Sequence, residues 1–269
     1  MSEMFIAING HGMSIEKKSP LTANPLRLPG QSIEEKMRDY VFDRLLLPYL
    51  VAAGIVLWAG YEWAIMLSFI KRPHPLVISV IAAIGVAYFV WNLMRSHKQL
   101  KALRQGRDGE RAVGQFLEGL RSNGHFVFHD VLGEGFNLDH VIVGPRGVFT
   151  VETKTISKPA KGEARIKYDG NVVTIFGQKP ERNPIIQAKA QADWLAELLG
   201  EETGKKVHVK PIVVYPGWFI EGPLGFKTSV EVLNPKMLPG YINKYSNILA
   251  ETDMHLFKST LSRRIRKTY

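Results

Sequence analysis

Residues 136–154 read Phe-Asn-Leu-Asp-His-Val-Ile-Val-Gly-Pro-Arg-Gly-Val-Phe-Thr-Val-Glu-Thr-Lys, two short apolar runs on either side of Gly144-Pro145-Arg146-Gly147. A β-turn with proline at its second position accounts for the centre and makes the whole a hairpin. The register that pairs Val143 with Val148 also sets Asp139 opposite Glu152. Residues so opposed hold their Cβ atoms about 4.5 to 5.5 Å apart, where like charges are destabilising. Lys154, two positions beyond Glu152, falls on the same face of its strand. A three-residue turn with a bulge at Gly147 would shift this register by one.

Two carboxylates held together at the end of apolar strands call for a cation. Mg²⁺, or Mn²⁺ in its place, is the expected one, because such ions take oxygen ligands and keep waters that can become nucleophiles. Asp139 and Glu152 are then the expected metal ligands. The ammonium of Lys154 would orient an attacking water or stabilise charge developing on a phosphate. The plain alternative is a surface salt bridge between Glu152 and Lys154, against which the opposed Asp139 weighs. Glu110 lies three residues before Val113 on a helical stripe that continues through Phe116, Leu117 and Leu120. It should therefore point at the sheet, where an unpaired carboxylate is costly. Gln187 is a weaker candidate for binding phosphate or water, since its spacing suits an ordinary helix residue equally well.

Around this hairpin the pattern alternates between strand and helix. Strands are expected over 126–131, 136–143, 148–153, 164–168, 172–176, 207–215 and near 230–232, with Asp169-Gly170-Asn171 as a second hairpin turn. Asn123-Gly124 ends one helix; Asn183-Pro184 opens another, with Gly200 expected to stop it. Helices follow Pro235 and run toward the basic end Arg263, Arg264, Arg266 and Lys267. The fold class is α/β, a mixed sheet flanked by helices.

The first third differs in kind. Residues 46–94 contain only three charged side chains, Glu62, Lys71 and Arg72. The runs 46–70 and 75–94 are each long enough to cross a bilayer as a helix, and a core hairpin rarely stays apolar on all faces for this length. The connector Lys71-Arg72-Pro73-His74 is short, so the two form an antiparallel transmembrane hairpin. Basic residues stand before it (Arg27, Lys36, Arg38, Arg44) and after it (Arg95, Lys98, Lys101, Arg104, Arg107, Arg111), which places both termini in the cytoplasm of a two-pass plasma- or inner-membrane protein. Glu62 lies near the outer end and is read as reaching the headgroups. Residues 1–31 read as a flexible tail and 32–45 as a juxtamembrane helix, opened by a capping box of Ser32 and Glu35. Absence of cysteine excludes a disulfide scaffold, thiolate zinc sites and a cysteine nucleophile.

Taken in order, Gly109-Glu110, Asn137-Leu138-Asp139-His140, Gly144-Pro145-Arg146-Gly147, Glu152-Thr153-Lys154 and Asn183-Pro184-x-x-Gln187 resemble the successive motifs of the NERD (nuclease-related) domain, assigned to the PD-(D/E)xK, restriction-endonuclease-like superfamily. The resemblance covers about 106–199. It implies a four-stranded mixed sheet flanked by helices, and metal-dependent phosphodiester hydrolysis. It also implies Asp139 and Glu152 as metal ligands, Lys154 as the catalytic lysine, Glu110 as an accessory acid and Gln187 as the helix glutamine. Leu138 stands where the superfamily has proline before the aspartate. The expected organisation is a nuclease-like domain over 95–234 and a basic helical segment over 235–269. The expected function is a membrane-anchored nuclease acting on cytoplasmic nucleic acid, DNA first. A net charge of +10 agrees with a phosphate-backbone partner, although the basic residues beside the spans are also explained by topology and anionic lipid. Two alternatives stand beside it: a non-catalytic interaction or nucleic-acid-binding module on the same fold, and a small transporter subunit or channel built on the hairpin.

Overall fold

A computed structural model describes residues 26–67, 75–159, 163–223 and 228–267. The flexible tail up to residue 25 and the connector 71–74 lie outside the described residues. Helix α1 (Gln31–Val41) passes through a π-helical turn (Phe42–Leu46) directly into α2 (Leu47–Leu67). Helix α3 then runs without a break over Pro75–Glu118, so the second apolar run and the basic helix after it are one element. Both long helices are apolar enough to cross a membrane. They pack antiparallel: Trp63 Nε1 donates to Ser79 Oγ (2.7 Å), and Asn92 Nδ2 to the carbonyl of Arg44 (2.5 Å), inside the π-helical turn.

The domain after the hairpin is built on a five-stranded sheet of order β1-β2-β3-β6-β8, where β1 is Phe126–Leu132, β2 Asn137–Gly144, β3 Gly147–Thr153, β6 Val209–Val214 and β8 Glu231–Leu233. The first three strands are antiparallel, and β6 and β8 join parallel. Parallel pairing needs a crossover, and α4 (Pro184–Thr203) supplies it. This sheet has five strands where the resemblance implies four, and beside it stands a separate three-stranded sheet of order β5-β4-β7 (Val173–Ile175, Arg165–Tyr168, Phe219–Glu221), of which β7 is the strand the sequence pattern did not mark. Pairing of Val143 with Val148 and of Gly144 with Gly147 leaves Pro145-Arg146 as a two-residue turn, without the bulge shift.

Side chains alternate across the sheet, and each face has its own core. On one face Val141, Val143 and Val148 meet Leu195 and Leu199 of α4 and Phe257 and Leu261 of α6 (Glu251–Lys267). On the other, Val127, Ile142, Phe149 and Val151 meet Val113, Leu117 and Leu120 and the short α5 (Leu238–Ile242). The basic C-terminal helix thus belongs to the same core as the strands.

Four local expectations are corrected. Ser32 does not cap α1: the N-cap is Gly30 at φ 72°, and the Ser32 hydroxyl donates to Asp130 while Glu35 receives Arg27. Arg27, Ser32 and Asp130 form a buried cluster, so the last residues assigned to the tail are pinned to β1. Gly200 does not end α4, which continues to Thr203 and stops at Gly204, where φ is 70° and the amide bonds back to the Gly200 carbonyl. Phe116 leaves the buried stripe and is exposed on α3. Asn183, Gly124 and the Asp169 turn behave as their residue types require: the Asn183 side chain caps Ile185 N, and Asp169 Oδ1 accepts from Asn171 N and Val172 N.

Candidate active site

The β2–β3 ladder stops at His140 and Val151, one pair short of the expected contact between Asp139 and Glu152. The reason lies in the aspartate itself, whose Oδ2 accepts the main-chain N–H of Thr153 at 2.6 Å. The Asp139 carboxylate thereby replaces the next ladder bond and stays beside Glu152. Among the described residues, no donor reaches its Oδ1.

Glu152 is buried on the α4 face. Its Oε1 accepts from Lys154 Nζ and Gln187 Nε2, each at 2.7 Å, and its Oε2 accepts from Gln191 Nε2 at 2.7 Å. Gln187 Oε1 in turn accepts from Lys154 Nζ at 2.8 Å, so one orientation of this amide serves both the acid and the ammonium. Asn183 and Pro184 start α4 at the point that brings Gln187 over the end of β3, and Gln191 follows one turn later. The pair Glu152–Lys154 exists as the plain alternative foresaw, but within a buried network and not at the surface.

Glu110 approaches from α3. The preceding Gly109 permits this: a Cβ there would lie 1.8 Å from Thr155 Oγ1, so a side chain would push the helix off the strand end. The Glu110 carboxyl is pushed up to about 7, by burial first and then by the charges of Asp130 and Glu152, with Lys154 and Lys36 acting in the other direction. Asp139 is raised well above the ordinary carboxylate range, again by burial first, then by Glu152 and Glu110. Glu110, Asp139, Glu152, Lys154 and Gln187 are thus brought together. Asp130, the acid opposite Asp139 on β1, sits at φ 52° and accepts Arg27 Nε at 2.7 Å, Ser32 N and Oγ at 2.8 Å and Asn137 Nδ2 at 3.3 Å.

These raised values have a measurable consequence. An acid whose pKa is higher folded than unfolded binds its proton more tightly in the fold. Its stabilising contribution is present below the unfolded pKa and is lost as pH rises through the folded one. In chelator, stability is expected to fall as pH rises from about 5 to about 8, and Glu110→Gln is expected to flatten that slope and to raise stability at the alkaline end. Melting curves of both proteins across this range test it; parallel curves would remove Glu110 from the cluster.

The donor set is all oxygen. Among the described residues no three His, Asp or Glu side chains stand together as a metal cage. Mg²⁺ does not need one, because it is usually bound by one or two carboxylates, waters and substrate phosphate. The crowded, proton-hungry Asp139 beside Glu152, with Oδ1 open, fits that mode. Gln191 and the Arg27–Asp130 pair went unseen in the sequence. The i+4 spacing of Gln191 from Gln187 was the available signal for the first; nothing local marks the second.

One sheet end thus brings two acids, a lysine and a helix glutamine into a single hydrogen-bonded group. Residues 105–216 match the family model of the nuclease-related domain, NERD, whose general context is the PD-(D/E)xK superfamily. No curated protein and no solved structure matches the chain.

Proposed function

We propose that this protein is a membrane-anchored, Mg²⁺- or Mn²⁺-dependent nuclease that hydrolyses phosphodiester bonds of nucleic acid, DNA first, at the cytoplasmic side of a plasma or inner membrane. The observation that carries the reading is the placement of Asp139 beside Glu152, with Lys154 on Glu152, inside the matched nuclease-related segment. Asp139 and Glu152 would hold the cation, which when bound supplies Lewis-acid charge and a water of lowered pKa. Lys154, fixed by Glu152 and Gln187, is set to orient the attacking water and to stabilise charge on the phosphate oxygens as the P–O bond to the leaving group breaks. Glu110, with its pKa near neutrality, is suited to take a proton from that water.

The anchoring rests on two further observations. In the apolar windows of both long helices only 11% of residues are buried, unlike the core helix of a soluble protein. Arg27 and Ser32, before the hairpin, bond to Asp130 after it, so the two flanks share one side. Because α3 is continuous, Glu110 lies sixteen residues beyond Met94, about 24 Å along the helix from the expected end of the span. The test is a Mg²⁺-dependent cleavage assay of the whole chain in nanodiscs, on linear, circular and single-stranded DNA and on RNA. Cleavage of any of these that chelator stops supports the reading. None on all four favours the non-catalytic module.

A further inference from the structure

Glu152 faces α4, but the alternate side chains of β2 and β3 face α3, and there four polar groups stand in single file. Glu118 Oε1 lies 2.7 Å from His129 Nε2, His129 Nδ1 lies 2.9 Å from His140 Nδ1, and His140 Nε2 lies 3.3 Å from Thr153 Oγ1. The two histidines are direct partners across β1 and β2, 6% and 0% exposed. The file ends at Thr153, whose amide holds Asp139.

Donor and acceptor rules give this file a direction. An ionised carboxylate only accepts, so the proton between Glu118 and His129 sits on Nε2. Glu118 is kept below the ordinary carboxylate range, against the opposing effect of its burial, by hydrogen bonds from Arg121 and His129. A buried, neutral His129 then has a bare Nδ1. Two ring nitrogens at 2.9 Å share one proton, which His140 Nδ1 must supply. That leaves His140 Nε2 bare, and the Thr153 hydroxyl is the group that donates to it. Each tautomer follows from the one before.

We propose that Glu118, His129 and His140 are positioning residues of the candidate site: their hydrogen bonds run in one direction, from Thr153 Oγ1–H to the Glu118 carboxylate, and fix Thr153 so that its amide orients Asp139. The proposal rests on the reading of Asp139 as a metal ligand. Partners one shell behind a ligand typically set about 10- to 100-fold in metal affinity or activity. A file in which each contact has a donor and an acceptor also avoids the cost of unpaired polar groups that the buried His129, His140 and Thr153 would otherwise carry.

The test uses the whole chain in nanodiscs. With ¹⁵N-labelled histidine, and His129→Gln and His140→Gln for assignment, the ring nitrogens should report His129 protonated at Nε2 and His140 at Nδ1. Calorimetric Mg²⁺ titration should show Thr153→Val weakened about 10- to 100-fold, and Thr153→Ser restored to wild-type affinity, with melts confirming that both are folded. His140 protonated at Nε2 overturns the proposal. So does a folded Thr153→Val that binds Mg²⁺ like wild type. Should Thr153→Val not fold, Glu118→Ala takes its place and must weaken Mg²⁺ binding in the same way. A wild-type chain that binds no Mg²⁺ overturns the metal reading itself, an outcome distinct from failure of the positioning chain alone.

Discussion

Lys154→Ala is expected to lower kcat by about 10²- to 10³-fold while leaving Mg²⁺ affinity intact, whereas Asp139→Asn and Glu152→Gln are expected to lose cleavage together with metal binding. The difference follows from position. Lys154 Nζ touches Glu152 and Gln187 and is half-buried, so its removal takes a positive charge from beside the acid without removing a proposed metal ligand. In the proposed reading Asp139 and Glu152 supply the oxygens that would hold the cation. Single-turnover rates beside calorimetric Mg²⁺ titrations separate the two kinds of failure. Unchanged metal affinity in both carboxylate variants would sink the assignment of the ligands.

The largest expected effect on stability comes from a residue outside the matched segment that bonds into it. Arg27→Ala would leave Asp130, 2% exposed, as a buried carboxylate with only Ser32 and Asn137 as donors. Breaking a buried ion pair from one side typically costs about 3 to 5 kcal/mol. Arg27 also bonds Ser32 Oγ and Glu35, so the variant loosens the start of α1 as well. By the same argument a soluble piece beginning at Ser96 lacks Arg27 and Ser32 and should melt well below the whole chain. Denaturant melts of wild type, Arg27→Ala and the shorter piece check this. An Arg27→Ala chain as stable as wild type would show that the N-terminal segment only rests on the domain.

What the sequence made legible was what depends on neighbours along the chain. The turn Pro145-Arg146 sets the β2–β3 register, and that register brings Asp139, Glu152 and Lys154 to one sheet end. Glu110 was legible from its phase on the stripe of Val113, Leu117 and Leu120. What escaped depends on partners far apart. Arg27 and Asp130 are separated by 103 positions, and the S-x-x-E spacing at Ser32 and Glu35 looked like a cap because nothing local shows that Asp130 claims the serine. His129 and His140 each pass for an ordinary strand residue until the β1–β2 register sets them face to face. At Gly200 the error was one of degree: a glycine one turn before the true cap can stay helical, and Gly204 carries the positive φ that ends α4.

All of this converges on one pair of acids. Asp139 is raised well above its ordinary range by burial, Glu152 and Glu110, a strain that a cation bound by the fold would relieve. A ligand that binds only the folded state stabilises it by about 2.7 kcal/mol at one hundred times its Kd. The direct measurement is a set of melting curves for the wild-type chain and Asp139→Asn, in chelator and across a Mg²⁺ series, with and without nucleic acid. The account predicts that wild type gains stability steadily with Mg²⁺, and that Asp139→Asn starts higher in chelator and gains little. A wild-type chain whose melting is indifferent to Mg²⁺ at every concentration, with or without nucleic acid, would contradict it.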